Sequence, residues 1–341
     1  MKGTTNATYD AGSAASAVGR GRATVRRRAV DDVGTVGAVP ADGAAEAGAA
    51  EAGAAAAGAA AAGAAEQAVP SRVPAGVPSA VPGSVPDDDG LLVTGMSDPV
   101  LLQEAAQLYR EVFGYTDPAH GVNPRLLSAL AANGGSVVGV LTPDGHVVAF
   151  AYGFPGVDRD GTAYHYSQAA VVHGSAQGRG LGRRLKREQA RIALEHGARH
   201  MRWAYDPAIA RNAHFNLDVL GARARWFHPD FYGPESDRLV VEWDVTDTTP
   251  TTAGVGHTDP PPPAVSAEGR HWGVPVQADG SVYLPLPARI GELAAADPAA
   301  AATVRARLRE ALAALIDEGR VAVSCRRLDV ATSVYRFERE S

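Results

Sequence analysis

The chain has 341 residues, with 32 Lys or Arg against 38 Asp or Glu, a formal net charge of -6 and 45% hydrophobic residues. That balance gives no global field for nucleic acid, and no uninterrupted apolar run reaches the length of a membrane span. The start MKGTTNATYD has no apolar stretch of the secretory kind, and the lone Cys325 cannot close an internal disulfide, so the expected location is cytoplasmic.

Residues 1–90 are mostly Ala, Gly, Val, Pro and Ser, with glycine at every fifth position from Gly43 to Gly63 and Val-Pro at every fourth from Val69 to Pro86. Such a stretch has little large apolar surface to offset the entropy of ordering it, and it reads as a disordered low-complexity tail. From Leu91 the texture turns to mixed apolar and charged. Asp98-Pro99 reads as a helix start, with Leu101, Ala105, Leu108 and Val112 at helical spacing up to Gly114. A second helix fits Pro124 to Ala132. Two apolar runs, 136–141 and 146–153, flank Thr-Pro-Asp-Gly and read as a hairpin. Tyr164 to Val172 is the next expected strand, followed by a glycine-rich turn and a helix from about Leu181 to His196.

On that helix Leu181, Leu185 and Ile192 mark one side, while Arg183, Arg184, Lys186, Arg187 and Arg191 read as a solvated basic stripe. A strand follows at 200–205, then a short helix from Arg211 to Leu220 and two strands, 222–227 and 238–245. Residues 246–268 read as a Pro-rich connector. The remainder, 269–341, reads as a C-terminal α/β extension with strands near 274–286, a helix within 287–318 broken or started at Asp297-Pro298, and strands at 321–326 and 334–338.

The turn between Ala169 and Glu195 carries the chemistry. Gly178, Gly180 and Gly182 keep side chains away where a strand meets a helix, and the first N–H groups of a helix have no intrahelical partner. With the helix dipole added, such a turn suits a phosphate or pyrophosphate. A P-loop would need Gly-Lys-Ser/Thr, but Gly182 is followed by Arg183 and Arg184; a dinucleotide fingerprint would need glycine at 183. The spacing that fits is Gln/Arg-x-x-Gly-x-Gly/Ala, as Gln177, Gly180 and Gly182.

This pattern resembles the acyl-CoA-binding motif of the GNAT superfamily of N-acyltransferases, and the element order across 91–245 resembles the whole GNAT domain. The stretch Trp203 to Gly233, with RNAHFN and a later Leu-Gly, is similar to an uncharacterised bacterial GNAT subfamily. The resemblance implies an α/β fold: a mixed, mostly antiparallel sheet whose fourth and fifth strands splay apart, flanked by helices. It implies that the backbone of Ala170, Val171 and Val172 pairs with pantetheine, and that Gln177, Gly178, Arg179, Gly180, Leu181 and Gly182 wrap the pyrophosphate, with Arg183 adding charge. Asn212, on the helix beside the thiol end, joins that set. Two positions depart from the family: Gly174 stands where proline is common, and Leu217 where many members have a tyrosine acid.

Acyl transfer to an amine needs a neutral amine, oxyanion stabilisation and a path for a proton. The candidate bases are His165, Asp206 and His214, with an imidazole's intrinsic pKa of about 6.5 favouring His165. Each has a plainer reading: packing for His165, a turn or cap for Asp206, and loop-fixing hydrogen bonds for His214. Trp203, Tyr205 and Trp226 either line an acceptor pocket or belong to the core. The expected activity is transfer of an acyl group, acetyl by expectation, from coenzyme A to a small-molecule amine, with no metal, nucleic acid or membrane. The alternatives are a non-catalytic acyl-CoA-binding module and a protein N-acetyltransferase.

Overall fold

The computed structural model describes residues 89–246 and 271–340; the expected tail up to residue 88 and nearly all of the connector lie outside them. Among the described residues eleven strands form one sheet, and six α-helices accompany it. In chain order the first part holds β1 (Leu92–Gly95), α1 (Pro99–Phe113), α2 (Pro124–Ala132), β2 (Ser136–Leu141), β3 (Val147–Val157), β4 (Ala163–Val172), α3 (Leu181–Glu195), β5 (His200–Tyr205), α4 (Ala210–His214), β6 (Arg223–His228) and β7 (Arg238–Asp244). Then come β8 (Val276–Ala278), β9 (Ser281–Pro287), α5 (Ile290–Ala296), α6 (Pro298–Asp317), β10 (Arg320–Arg327) and β11 (Thr332–Arg339). The order across the sheet is β1-β2-β3-β4-β5-β7-β6-β10-β11-β9-β8. Every pairing is antiparallel except β4 with β5.

Three helices, α1, α2 and α6, start where side chains supply the missing acceptors. Asp98 takes the Val100 N–H, Asn123 the Arg125 N–H and Asp297 the Ala300 N–H, each with proline at the first helical turn. Gly114 ends α1 in the left-handed conformation, at φ 68°. One core, around Leu102, Leu127, Phe150 and Val171, seats α1 and α2; another, around Val138, Ala149, Ala170, Leu181 and Leu185, seats α3. Alternation along β4 explains the division: Ala169 and Val171 go to one core, Ala170 and Val172 to the other.

Three features differ from the sequence reading. β1 was not anticipated, because four residues with a half-exposed pattern carry little signal. The helix expected over 211–220 is α-helical only to His214 and continues as a π-helical turn, Phe215–Val219. The last four strands join the same sheet through β6 and β10, at Ala224 and Ala322, and share one core with Trp203, Leu239 and α6.

Candidate acyl-CoA site

The site begins where the single parallel ladder stops. β4 and β5 pair only at Tyr164–His200, His165–Met201 and Tyr166–Arg202, yet β4 runs on to Val172 and β5 to Tyr205. Their outer edges stay held, by β3 up to Val172–Ala149 and by β7 up to Tyr205–Leu239. The two strands therefore diverge beyond Tyr166 and Arg202, and a V opens between them. A bulge contributes: Ala169 faces Tyr152 and Ser167 faces Gly153, so Gln168 is an extra residue that twists β4 at the apex.

At the far end of β4 the chain turns through Gly174–Ala176 into α3. Gly178 and Gly180 hold φ of 80° and 72°, a conformation that L side chains rarely adopt, and no atom lies within 4 Å of where a Cβ would be. Gly180 is the N-cap of α3 and supplies no side-chain acceptor. Leu181 and Leu185 are buried and fix the helix on the sheet, so its N-terminal amides stand over an open cradle beside exposed Arg183. That arrangement fits the pyrophosphate of coenzyme A. Gln177 reaches back to the Val172 carbonyl at 3.4 Å. Arg179 is held by Asp89 at 2.9 Å, and Asp89 lies 3.6 Å from Arg184 as well. The Leu91 N–H, and then these arginines, keep the Asp89 carboxyl below its ordinary range despite the opposing effect of burial. Gly182 is partly exposed, Ala170, Val171 and Val172 are buried in β4, and Asn212 is buried in α4.

The three candidate bases lie in separate surroundings. His165 is 1% exposed, with Nε2 2.8 Å from the Ser136 hydroxyl. Burial above all pushes its pKa down to about 4, so the ordinary imidazole value of 6.5 does not apply in the fold. Asp206 is buried: Oδ1 accepts the Ala208 N–H at 2.8 Å and Oδ2 a guanidinium N–H of Arg305 at 3.0 Å. His214 turns Nδ1 towards the Asp218 carboxylate, 3.2 Å, and the Cys325 carbonyl, 3.0 Å. Both partners only accept, so Nδ1 carries a proton. Trp203 and Tyr205 are fully buried, Trp203 donating to Asn216 at 3.0 Å and Tyr205 lying 3.3 Å from the Tyr335 hydroxyl. Trp226 is half-buried and stacks on Arg202, 4.7 Å from its ring, while Arg202 is fixed by Asp158 and Glu242.

One expectation is corrected outright. Lys186 does not belong to a solvated stripe; it is 0% exposed. Its Nζ donates to Ser167 Oγ at 2.8 Å, Ser167 donates to Gln189 Oε1 at 2.8 Å, Gln189 Nε2 donates to Ser136 Oγ at 3.0 Å, and Ser136 meets His165. A detectable signal existed: Gln189, Ala190 and Ala193, three, four and seven residues on, are small or uncharged and buried with it.

The low pKa of His165 makes a prediction. A group whose folded pKa is depressed stabilises the fold above its unfolded pKa, and that stability is lost as pH falls through the folded value. Between about pH 6.5 and pH 4 His165 should therefore account for a loss on the order of 3 kcal/mol. His165→Gln, which keeps an acceptor for Ser136, should flatten that acid limb in denaturant titrations. An unchanged limb would show that His165 does not carry it.

Residues 102–215 match the family model described as Acetyltransferase (GNAT) family. The chain is similar to solved structures that include a GCN5-related N-acetyltransferase from Kribbella flavida, with 20% identity and a TM-score of 0.36 over 46% of this chain and 98% of that one. It is likewise similar to a ribosomal-protein-S5-alanine acetyltransferase from Vibrio fischeri, with 14% identity and a TM-score of 0.39 over 47% and 96%. An aminoglycoside 6'-N-acetyltransferase complexed with coenzyme A aligns at 14% identity and a TM-score of 0.35 over 45% and 96%. No curated protein matches. Over residues 102–215, a third of its length, the chain is thus similar to the acetyltransferase (GNAT) family.

Proposed function

We propose that this chain moves an acyl group, acetyl by preference, from coenzyme A to the amine of a small molecule. The observation that carries the reading is the V between β4 and β5, opening from its apex at Tyr166–Arg202 towards the left-handed glycine turn and bare N-terminus of α3. A ligand with an extended arm and a pyrophosphate fits both features at once. The β4 backbone at Ala170 to Val172 would pair with the arm, and Gln177 to Gly182 with Arg183 would hold the pyrophosphate. Arg179 would join after exchanging Asp89 for phosphate, and Asn212 would sit on the thiol side. Backbone N–H groups beside the Gln168 bulge would take the oxyanion.

Catalysis by His165, Asp206 or His214 would require each to exchange a protein partner for substrate. If His165 were the base, the ionisation in kcat/KM would lie near its folded pKa of about 4 rather than 6.5. No described helix is long and apolar enough to cross a membrane, and a cytoplasmic setting supplies acyl-CoA and amines together. The test is incubation with acetyl-CoA and a mixed panel of amines, reading free thiol and labelled products. We expect acetylated small molecules. Binding of coenzyme A without thiol release would favour a non-catalytic module, and label on protein alone a protein N-acetyltransferase.

A further inference from the structure

Ser167 and Trp203 are the first residues beyond the last β4–β5 pair, one on each arm of the V. The amine of Lys186 joins them: Nζ is 2.8 Å from Ser167 Oγ and 3.8 Å from the centre of the Trp203 ring. It lies at the apex with no solvent exposure, and among the described residues no carboxylate forms an ion pair with it. The ionisable group facing it across the polar cluster is His165 on β4; α3 adds Gln189 and β5 adds Trp203.

The composition sharpens this. Of 32 basic residues only Lys2 and Lys186 are lysines, and the rest are arginine. A chain that uses arginine almost everywhere has lysine at this basic position, which is fully buried. Arginine stays charged in proteins, whereas a lysine amine loses its proton when desolvated. Burial does push the Lys186 pKa well below its ordinary value. A neutral amine has two N–H bonds and one lone pair; Ser167 and the Trp203 face can take the N–H bonds, leaving the lone pair for a proton.

We propose that Lys186 is a catalytic residue of this site, a proton shuttle between the attacking nitrogen and the departing sulfur. The proposal rests on the acyl-CoA reading. The acceptor nitrogen attacks the thioester carbonyl, the C–N bond forms, and the nitrogen gives its proton to Lys186 Nζ. The C–S bond then breaks, its electron pair goes to sulfur, and the Lys186 ammonium hands the same proton to the thiolate. Amine and thioester become amide and thiol, and Lys186 ends neutral as it began. One amine can serve both atoms because nitrogen and sulfur are bonded to the same tetrahedral carbon. The tip needs only to turn from Ser167, which the flexible stem of a lysine allows. The role also answers the loss of the tyrosine acid at Leu217, which is buried and cannot donate a proton.

The test uses full-length protein labelled with 13C-lysine, which should give two lysine signals, Lys2 acting as an internal reference. We expect Lys186 to titrate well below Lys2 and kcat to rise with pH through the same ionisation. Lys186→Arg and Lys186→Met should lower kcat at least 100-fold while coenzyme A affinity by calorimetry stays within threefold. Titration of Lys186 together with Lys2, an arginine variant with near-wild-type kcat, or a Lys186 acetylated during turnover would each overturn the proposal. If the variants fail to fold, the NMR titration and the mass of the wild-type lysine still decide. Absence of coenzyme A binding by the wild-type protein would instead remove the acyl-CoA reading itself.

Discussion

Gly180→Asp should lower coenzyme A affinity at least 100-fold, about 2.7 kcal/mol, while the protein stays folded. The substitution has two opposed effects at one position. Aspartate is a favoured N-cap, and Gly180 caps α3 without a side-chain acceptor, so a carboxylate there can take an amide of the first turn. A Cβ meets nothing within 4 Å, and aspartate tolerates φ of 72° at a cost of roughly 1–2 kcal/mol, which the cap offsets in part. The same carboxylate uses the N–H groups and opposes the dipole that would receive a phosphate. Gly180→Asn, which caps without the charge, should bind much better than Gly180→Asp. Calorimetry with coenzyme A decides; equal affinity in wild type and Gly180→Asp would rule out this turn as the coenzyme site.

The second large effect should come from Asp218→Ala, which is expected to cost on the order of 3 kcal/mol and lower Tm by roughly 6–12 °C. Asp218 lies on the π-helical turn after α4 and accepts from Ser324 Oγ at 2.7 Å, the Cys325 N–H at 2.8 Å, Arg326 Nε at 3.0 Å and His214 Nδ1 at 3.2 Å. Removing it strands several donors against β10. Burial acts to raise the Asp218 pKa, but bonds from His214, the Cys325 N–H, Ser324 and Arg326 hold it below the ordinary range. The hydrogen bond to Asp218 raises that of His214 above its ordinary 6.5, against the opposing effect of burial.

The signs set the window. The depressed Asp218 contributes above its unfolded pKa of about 3.9 and loses that contribution as pH falls through its folded value. The raised His214 contributes below about 6.5 and loses its share as pH rises through its folded value. The Tm deficit of Asp218→Ala should therefore be larger near pH 5.5 than near pH 8.5. A deficit under about 2 °C at both would show that the cluster does not hold α4 to β10.

These two residues also divide what could be read in the chain from what could not. Gln177, Gly180 and Gly182 are legible because a turn of this kind is local: glycine spacing, an apolar strand before and an amphipathic helix after determine it within about 25 residues. The strand at 200–205 and the helix at 124–132 came out with the expected bounds for the same reason. Asp218 gave no such signal, because apart from His214 its partners, Ser324, Cys325 and Arg326, lie more than 100 residues away on β10. Nor did the two strands that start and finish the V announce where their ladder would stop.

Local periodicity and turn chemistry alone thus determined the order of elements from α1 to β7 and the glycine turn. Tertiary structure decided which side chains face which neighbours. It buried Lys186 at the apex of the V instead of leaving it among the exposed arginines, and it sealed His165 against Ser136 so that its pKa falls to about 4. It also carried the C-terminal strands onto β6. The physical reason is that desolvation, ion pairing and strand pairing depend on distances in space, and a sequence states only distances along the chain.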